Sequence, residues 1–224
     1  MGKRKTPMRP ANSLSRTHGR RRPASRFLIC CEGDVTEPGY FKYIRSELRS
    51  SLVGIRVVGH VGDPSQLVDH AIEERNRADR RARQEKDEYL RYDQVWCVVD
   101  VDEHQRLPDA RSRSRRAGIE LVVSNPCFEI WPLLHLVDHK RACNAKEAQK
   151  LLAEVIPGYR KKLDCAALRG KYKIAVKRAE TLHRDHRENG NQDWGNPSTE
   201  VWKVVEQILS AARASRVQGR DPEL

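Results

Sequence analysis

The chain has 224 residues, a formal net charge of +12, 38% hydrophobic residues and 33% charged residues. That length fits one large α/β domain or one domain with a helical extension. No apolar run is long enough to span a bilayer, and the basic N-terminus lacks the apolar stretch of a signal peptide, so a cytoplasmic protein with no membrane partner is expected.

Residues 1–25 read as a basic disordered tail. Residues 1–26 hold nine lysines and arginines and no acidic residue, so most of the net charge is placed there. Such tails contact nucleic acid and other polyanions, or serve only as solvated leaders. The first predicted strand is 27–31, followed by a helix over 36–48 with Tyr40, Phe41, Ile44 and Leu48 on one face. Thr36 is its expected cap, Pro38 sits near its first turn, and Glu37 suits the positive end of its dipole. A second strand is predicted at 55–58. Asp63 or Ser65 then caps a long helix whose far half, residues 73–91, is dense in mixed charge and expected to project into solvent.

A third strand over 94–100 is followed by an arginine-rich helix or loop to Ala117, a fourth strand over 119–123, and a helix opened by Asn125-Pro126. This alternation predicts a parallel sheet covered by helices. Beyond Asn144 the pattern is helical only, with candidates over 145–155, 159–168, 172–187 and 199–212. The expected division is a catalytic domain at 26–140, a helical extension packed on it at 141–217, and a frayed terminus at 218–224. The six cysteines include no Cys-x-x-Cys and behave as small buried hydrophobes. His135, His139 and Cys143 form an i, i+4, i+8 ladder open to zinc, but the second tight ligand pair of closed zinc sites is missing.

Two apolar runs stop abruptly at carboxylates. Phe27 to Cys31 ends at Glu32-Gly33, and Val95 to Val99 ends at Asp100-Val101-Asp102-Glu103. Continuous apolar runs fit strands buried on both faces, and ligands of open α/β sheets bind past the carboxyl ends of the strands. Glu32, Asp100 and Asp102 would meet in one crevice, with too much negative charge unless a cation joins them. Hard oxygen ligands point to Mg²⁺ (or Mn²⁺). Asp100 and Asp102, two apart on an extended chain, share one face, and Glu103 extends the cluster as a second-metal ligand. Asp-x-Asp alone is a weak signal, shared with sugar-transfer enzymes and haloacid-dehalogenase-like phosphatases. His104 after the pair and a complete β-α-β-α unit before it count against the phosphatase.

The ordered set Cys31-Glu32-Gly33 through Thr36-Glu37-Pro38, Gly62-Asp63-Pro64, Asp100-Val101-Asp102-Glu103-His104, Ser124 to Trp131 and Asn196-Pro197-Ser198-Thr199 resembles the RloB-like family. The resemblance runs from about Phe27 to Leu209. It implies a Toprim-like parallel β-sheet flanked by helices with a C-terminal helical extension, related to OLD-family nucleases. By that resemblance Glu32 is a general acid or base and also a metal ligand, and Glu129 and His104 support the site. It further implies a Mg²⁺-dependent nuclease of anti-phage defence, acting on DNA or RNA, whose partner is an ABC- or SMC-like ATPase. The chain itself has no Walker A motif.

Arg106, Arg111, Arg113, Arg115 and Arg116 follow the acidic pair and read as a nucleic-acid-binding patch. Lys161, Lys171 and Lys173 offer cations from the helical region, and Tyr159, Trp194 and Trp202 offer rings for stacking on bases, with Trp202 better suited to the core. Two other readings remain open: a non-catalytic nucleic-acid-binding subunit of a defence complex, and a phosphatase or nucleotidyl-transfer enzyme on small nucleotides. The acidic triad favours an enzyme over a scaffold, and the basic surface favours a polymeric substrate. Glu103 and His104 stand where many Toprim proteins have small residues.

Overall fold

The computed structural model describes residues 25–48, 53–59, 62–101, 107–190 and 194–214. Its centre is a five-stranded sheet in the order β2-β1-β3-β4-β5, with β1 Ser25–Cys31, β2 Val53–Gly59, β3 Gln94–Asp100, β4 Glu120–Asn125 and β5 Ser198–Thr199. The first four strands are mutually parallel and β5 runs antiparallel to β4. Seven α-helices are present among the described residues: α1 Thr36–Glu47, α2 Pro64–Glu85, α3 Leu107–Ala117, α4 Ile130–Leu136, α5 Ala145–Val155, α6 Tyr172–Glu188 and α7 Val201–Ala214. This is the helix-flanked, mostly parallel α/β sheet expected, consistent with a Toprim-like fold.

The continuous apolar runs are explained by burial on both faces. Phe27, Ile29 and Cys31 of β1 point into a cluster shared with α1, α4, α5, α6 and α7. Leu28 and Cys30 point the other way, to Leu67, Val68 and Ala71 of α2 and to Leu107 and Ala110 of α3. Helices α5, α6 and α7 therefore share one apolar cluster with β1 and α1. The cysteines are unpaired, and burial pushes the Cys30 thiol up to about 12, helped by the charge of Glu74.

Several local expectations change. Asp63, not Ser65, caps α2: its carboxylate accepts from the amides of Ser65 and Gln66, and Gln66 answers as a capping box. The far half of α2 is largely exposed, as its mixed charge suggests, but it stays anchored to the fold. It ends at Glu85, packs on the 3-10 turn Glu88–Leu90, and buries Ala82 and Glu74. Glu74 is held by Arg56 at 2.7 Å and Arg77 at 2.5 Å, so its charge stays paired. Residues 159–164 are not helical, and only Cys165–Leu168 makes a short 3-10 turn. Pro157 and Gly158, the latter at φ 80°, stop the chain from continuing α5 as a helix. Ser198–Thr199, one residue ahead of α7, form β5, where Ser124 Oγ lies 2.9 Å from Thr199 Oγ1.

The histidine–cysteine ladder does not form. Helix α4 ends at Leu136, and Val137 is extended, so the spacing no longer describes one helix face. His135 instead turns inward, with Nδ1 2.9 Å from the Trp131 carbonyl oxygen and its ring 4.6 Å from that of Trp131. Burial lowers its pKa to about 4; the Trp131 carbonyl opposes this, and Lys171 and Arg178 add to it. In the unfolded chain a histidine binds its proton near 6.5, so from there down to about pH 4 the unfolded state holds more protons. Stability should fall as the pH drops through that window, by up to about 3 kcal/mol from this residue. Urea unfolding at pH 7 and near pH 4.5 checks this, with His135→Leu expected to lose less stability on acidification than the parent chain.

Candidate active site

The parallel strands end together, and the loops beyond β1, β3 and β4 make one cleft. Glu32 follows β1, and its amide donates to the carbonyl of Val98, so it is held beside β3. Asp100 is the last residue of β3. Its amide donates to Glu32 Oε2 at 3.2 Å, which draws that carboxylate over the end of β3. Both residues are half-buried. The cleft has a volume of about 400 Å³, and its walls include Asp34, Glu37, Cys127, Glu129 and Lys161.

The β1–α1 turn is tight for a reason visible at two glycines. A Cβ at Gly33 would fall 2.5 Å from a Glu37 carboxylate oxygen, and one at Gly59 would fall 2.8 Å from Asp34 Oδ1. Glu37 is buried in the first turn of α1. Burial raises its pKa despite its backbone hydrogen bonds, and the charges of Glu129 and Glu32 push it further. It stands in the first turn of α1 as expected of a dipole partner, and it also packs beneath the tight turn at Gly33. Thr36 does not cap α1. Val35 holds the cap position without a side-chain bond, and Thr36 Oγ donates to the carbonyl of Lys161 at 2.8 Å.

Glu129 is 5% exposed and accepts from the Tyr159 hydroxyl at 2.7 Å. Burial and the neighbouring Glu129 charge push the Tyr159 hydroxyl far up, so it remains a donor. The link between Glu129 and Tyr159 was missed in the sequence. Thirty residues separate them, and no local pattern marks the pairing. The Cys127 thiol is also pushed well up, first by burial and then by Glu129. Apart from that thiol, the ligand-type side chains of the cleft are the carboxylates of Glu32, Asp34, Glu37, Asp100 and Glu129, hard oxygens of the kind that suit Mg²⁺ or Mn²⁺. Among the described residues lining the cleft, Lys161 is the only cation. Among the described residues, no three His, Cys, Asp or Glu side chains form a metal-holding group. Asp102, Glu103, His104 and Arg106 lie outside the described residues.

The arginines are spread apart. Helix α3 returns from the carboxyl end of β3 to the start of β4, so Arg115 and Arg116 stand at the end of the sheet opposite the cleft. Arg113 is paired with Asp69 of α2 at 2.9 Å. Arg111 stacks on Trp194, with its guanidinium 4.8 Å from a ring centroid, and Trp194 in turn is held by Asn125 Nδ2 donating to its carbonyl at 2.5 Å. Tyr159 is buried, and Trp202 is half-buried against the core.

Fold and cleft together define an α/β protein with an acidic crevice at the carboxyl ends of its parallel strands. A comparison with protein-family models matches RloB-like protein over residues 27–208, and the chain belongs to that family. Neither the curated proteins nor the solved structures gave a match. No helix among the described residues is long and apolar enough to cross a membrane.

Proposed function

We propose that this protein is a metal-dependent nuclease that hydrolyses phosphodiester bonds of DNA or RNA in the cleft between β1 and β3. The observation that carries this reading is the convergence of Glu32 and Asp100, from adjacent parallel strands, at the mouth of a hard-oxygen cleft. Asp100, Asp102 and Glu32 would hold Mg²⁺ or Mn²⁺, with Glu103 completing the set. Such a cation neutralises phosphate charge and generates or positions the nucleophile. Glu32 also sits where a carboxyl can take or give a proton beside the scissile phosphate, and Glu129, fixed by Tyr159, supplies further negative charge from the rear of the cleft. Arg111 is the described member of the arginine patch stacked on the Trp194 segment that follows β4 in space.

The family resemblance supports three further proposals: a role in anti-phage defence, a cytoplasmic location, and an ABC- or SMC-like ATPase as a separate partner protein. Toprim kinship with OLD-type nucleases belongs with them.

Incubating the purified chain with labelled DNA and RNA tests the reading. Mg²⁺ or Mn²⁺ should support cleavage, and EDTA should stop it. Ca²⁺ should bind yet support little turnover, because its looser coordination positions reactants poorly. Cleavage that persists in EDTA would sink the proposal.

A further inference from the structure

The loop after α5 carries Arg160-Lys161-Lys162, three consecutive cations, all exposed. Among the described residues none of the three has a carboxylate within ion-pair range, whereas Arg81, Arg113 and Arg169 on other surfaces are each matched to an acid. The loop is not left to wander. On one side of the triplet, Tyr159 is buried and donates to Glu129 inside the cleft. Within it, the Lys161 carbonyl accepts from Thr36 Oγ, and Thr36 Oγ lies 3.4 Å from the Tyr159 hydroxyl. Lys161 itself sits at φ 66°, a left-handed conformation uncommon for a residue with a Cβ. Lys161 is also one of the residues lining the acidic cleft. An unmatched run of positive charge is thus fixed at the rim of a negative cavity, by bonds to the same elements that carry the acids.

The geometry points to a phosphate clamp: Arg160, Lys161 and Lys162 grip the sugar-phosphate backbone of a nucleic-acid strand lying across the cleft, and Tyr159 is the positioning residue that ties the clamp to Glu129. This rests on the reading of the cleft as a phosphodiester site, and it names the element that makes the substrate a polymer. A small nucleotide would occupy the cleft alone. A strand needs counter-charge beyond the cleft, where the flanking phosphates pass.

The test is equilibrium binding of the full chain to short fluorescein-labelled single-stranded DNA and RNA, titrated with salt in Ca²⁺ and in EDTA, so that no turnover is required. Replacing all three cations with alanine should weaken binding at least about 10-fold and reduce the slope of log affinity against log salt by about 2, since each strand phosphate contact contributes roughly 0.7. Lys161→Arg should restore most of what Lys161→Ala loses. Lys161→Gly relieves the left-handed conformation, so it should keep or raise the melting temperature while still weakening binding. Tyr159→Phe keeps every charge, and should weaken binding about 3-fold or more with little change in slope. An Arg80→Ala/Arg83→Ala/Lys86→Gly variant, at three exposed positions along the far end of α2, removes the same number of charges and should bind as the parent does. An unchanged affinity and slope in the triple variant overturns the clamp, as does an equal loss in the α2 control. If the clamp variants lose binding but the parent chain never cleaves, the clamp stands and hydrolysis falls. If the parent cleaves and the triple variant binds normally, hydrolysis stands and the clamp falls.

Discussion

Glu32→Gln and Asp100→Asn should each lower cleavage by about 10²- to 10⁴-fold while leaving the fold intact. Each change keeps the size and shape of the side chain and removes one negative charge. The Asp100 amide that donates to Glu32 is part of the backbone, so it still finds an oxygen acceptor after Glu32→Gln. The cleft gains rather than loses stability without metal, because Glu37 already feels the charges of Glu129 and Glu32. Melting temperatures in EDTA should therefore equal or exceed that of the parent chain. Asp102→Asn is expected to match them in activity, on the strength of its place in the motif. Single-turnover cleavage in Mn²⁺, paired with thermal unfolding, separates the outcomes. Parent-like rates in Glu32→Gln and Asp100→Asn would remove both residues from the chemistry.

The largest stability effect is expected at Trp131. Its side chain is fully buried, with edge-to-face contacts to Tyr40 of α1 at 6.3 Å and to Tyr172 of α6 at 6.1 Å. One ring thus joins an early helix to a late one across the first face of the sheet. Trp131→Ala should cost about 3–5 kcal/mol, because neighbours on three helices cannot close the space. That is a large share of the ~5–15 kcal/mol that usually separates folded from unfolded chains. Trp202, half-buried at the margin of the same cluster, should cost clearly less when cut to alanine. Urea unfolding of both variants decides it. A loss at Trp131 no greater than at Trp202 would mean that the late helices are only loosely joined to the sheet.

The strands and the crevice were legible because burial on both faces leaves an unmistakable run of apolar residues, and because such runs must end where carboxylates begin. Val95 to Val99 ending at Asp100 needed no knowledge of partners. What escaped was everything decided by a distant neighbour. Thr199 reads as the start of a helix, but Thr199 and Ser198 pair with Ser124 and Asn125 and so belong to the sheet. Thr36 reads as a cap, but its hydroxyl goes to a carbonyl 125 residues away. His135 reads as a helix-face ligand, but packing against Trp131 turns it inward. The arginines read as one patch because they are close in sequence, yet on the helix they part company: Arg111 stacks on Trp194 while Arg113 is paired with Asp69 of α2.

The placement of β5 also bears on the order in which the molecule can be completed. Strand β4 is made early, but among the described residues its outer edge pairs with residues 198–199, and the Glu200 amide donates to the Val123 carbonyl. Until those residues leave the ribosome, β4 offers unpaired amides and carbonyls beside a hydrophobic face, which is the surface most open to mispairing with another chain. Helix α7, which supplies Val201, Val204, Val205 and Ile208 to the first apolar cluster, arrives later still. Synthesis therefore carries a half-built sheet for many residues, and a stall before residue 198 leaves it with an adhesive margin. A chaperone that shields β4 during that interval would meet a need that the finished protein no longer displays.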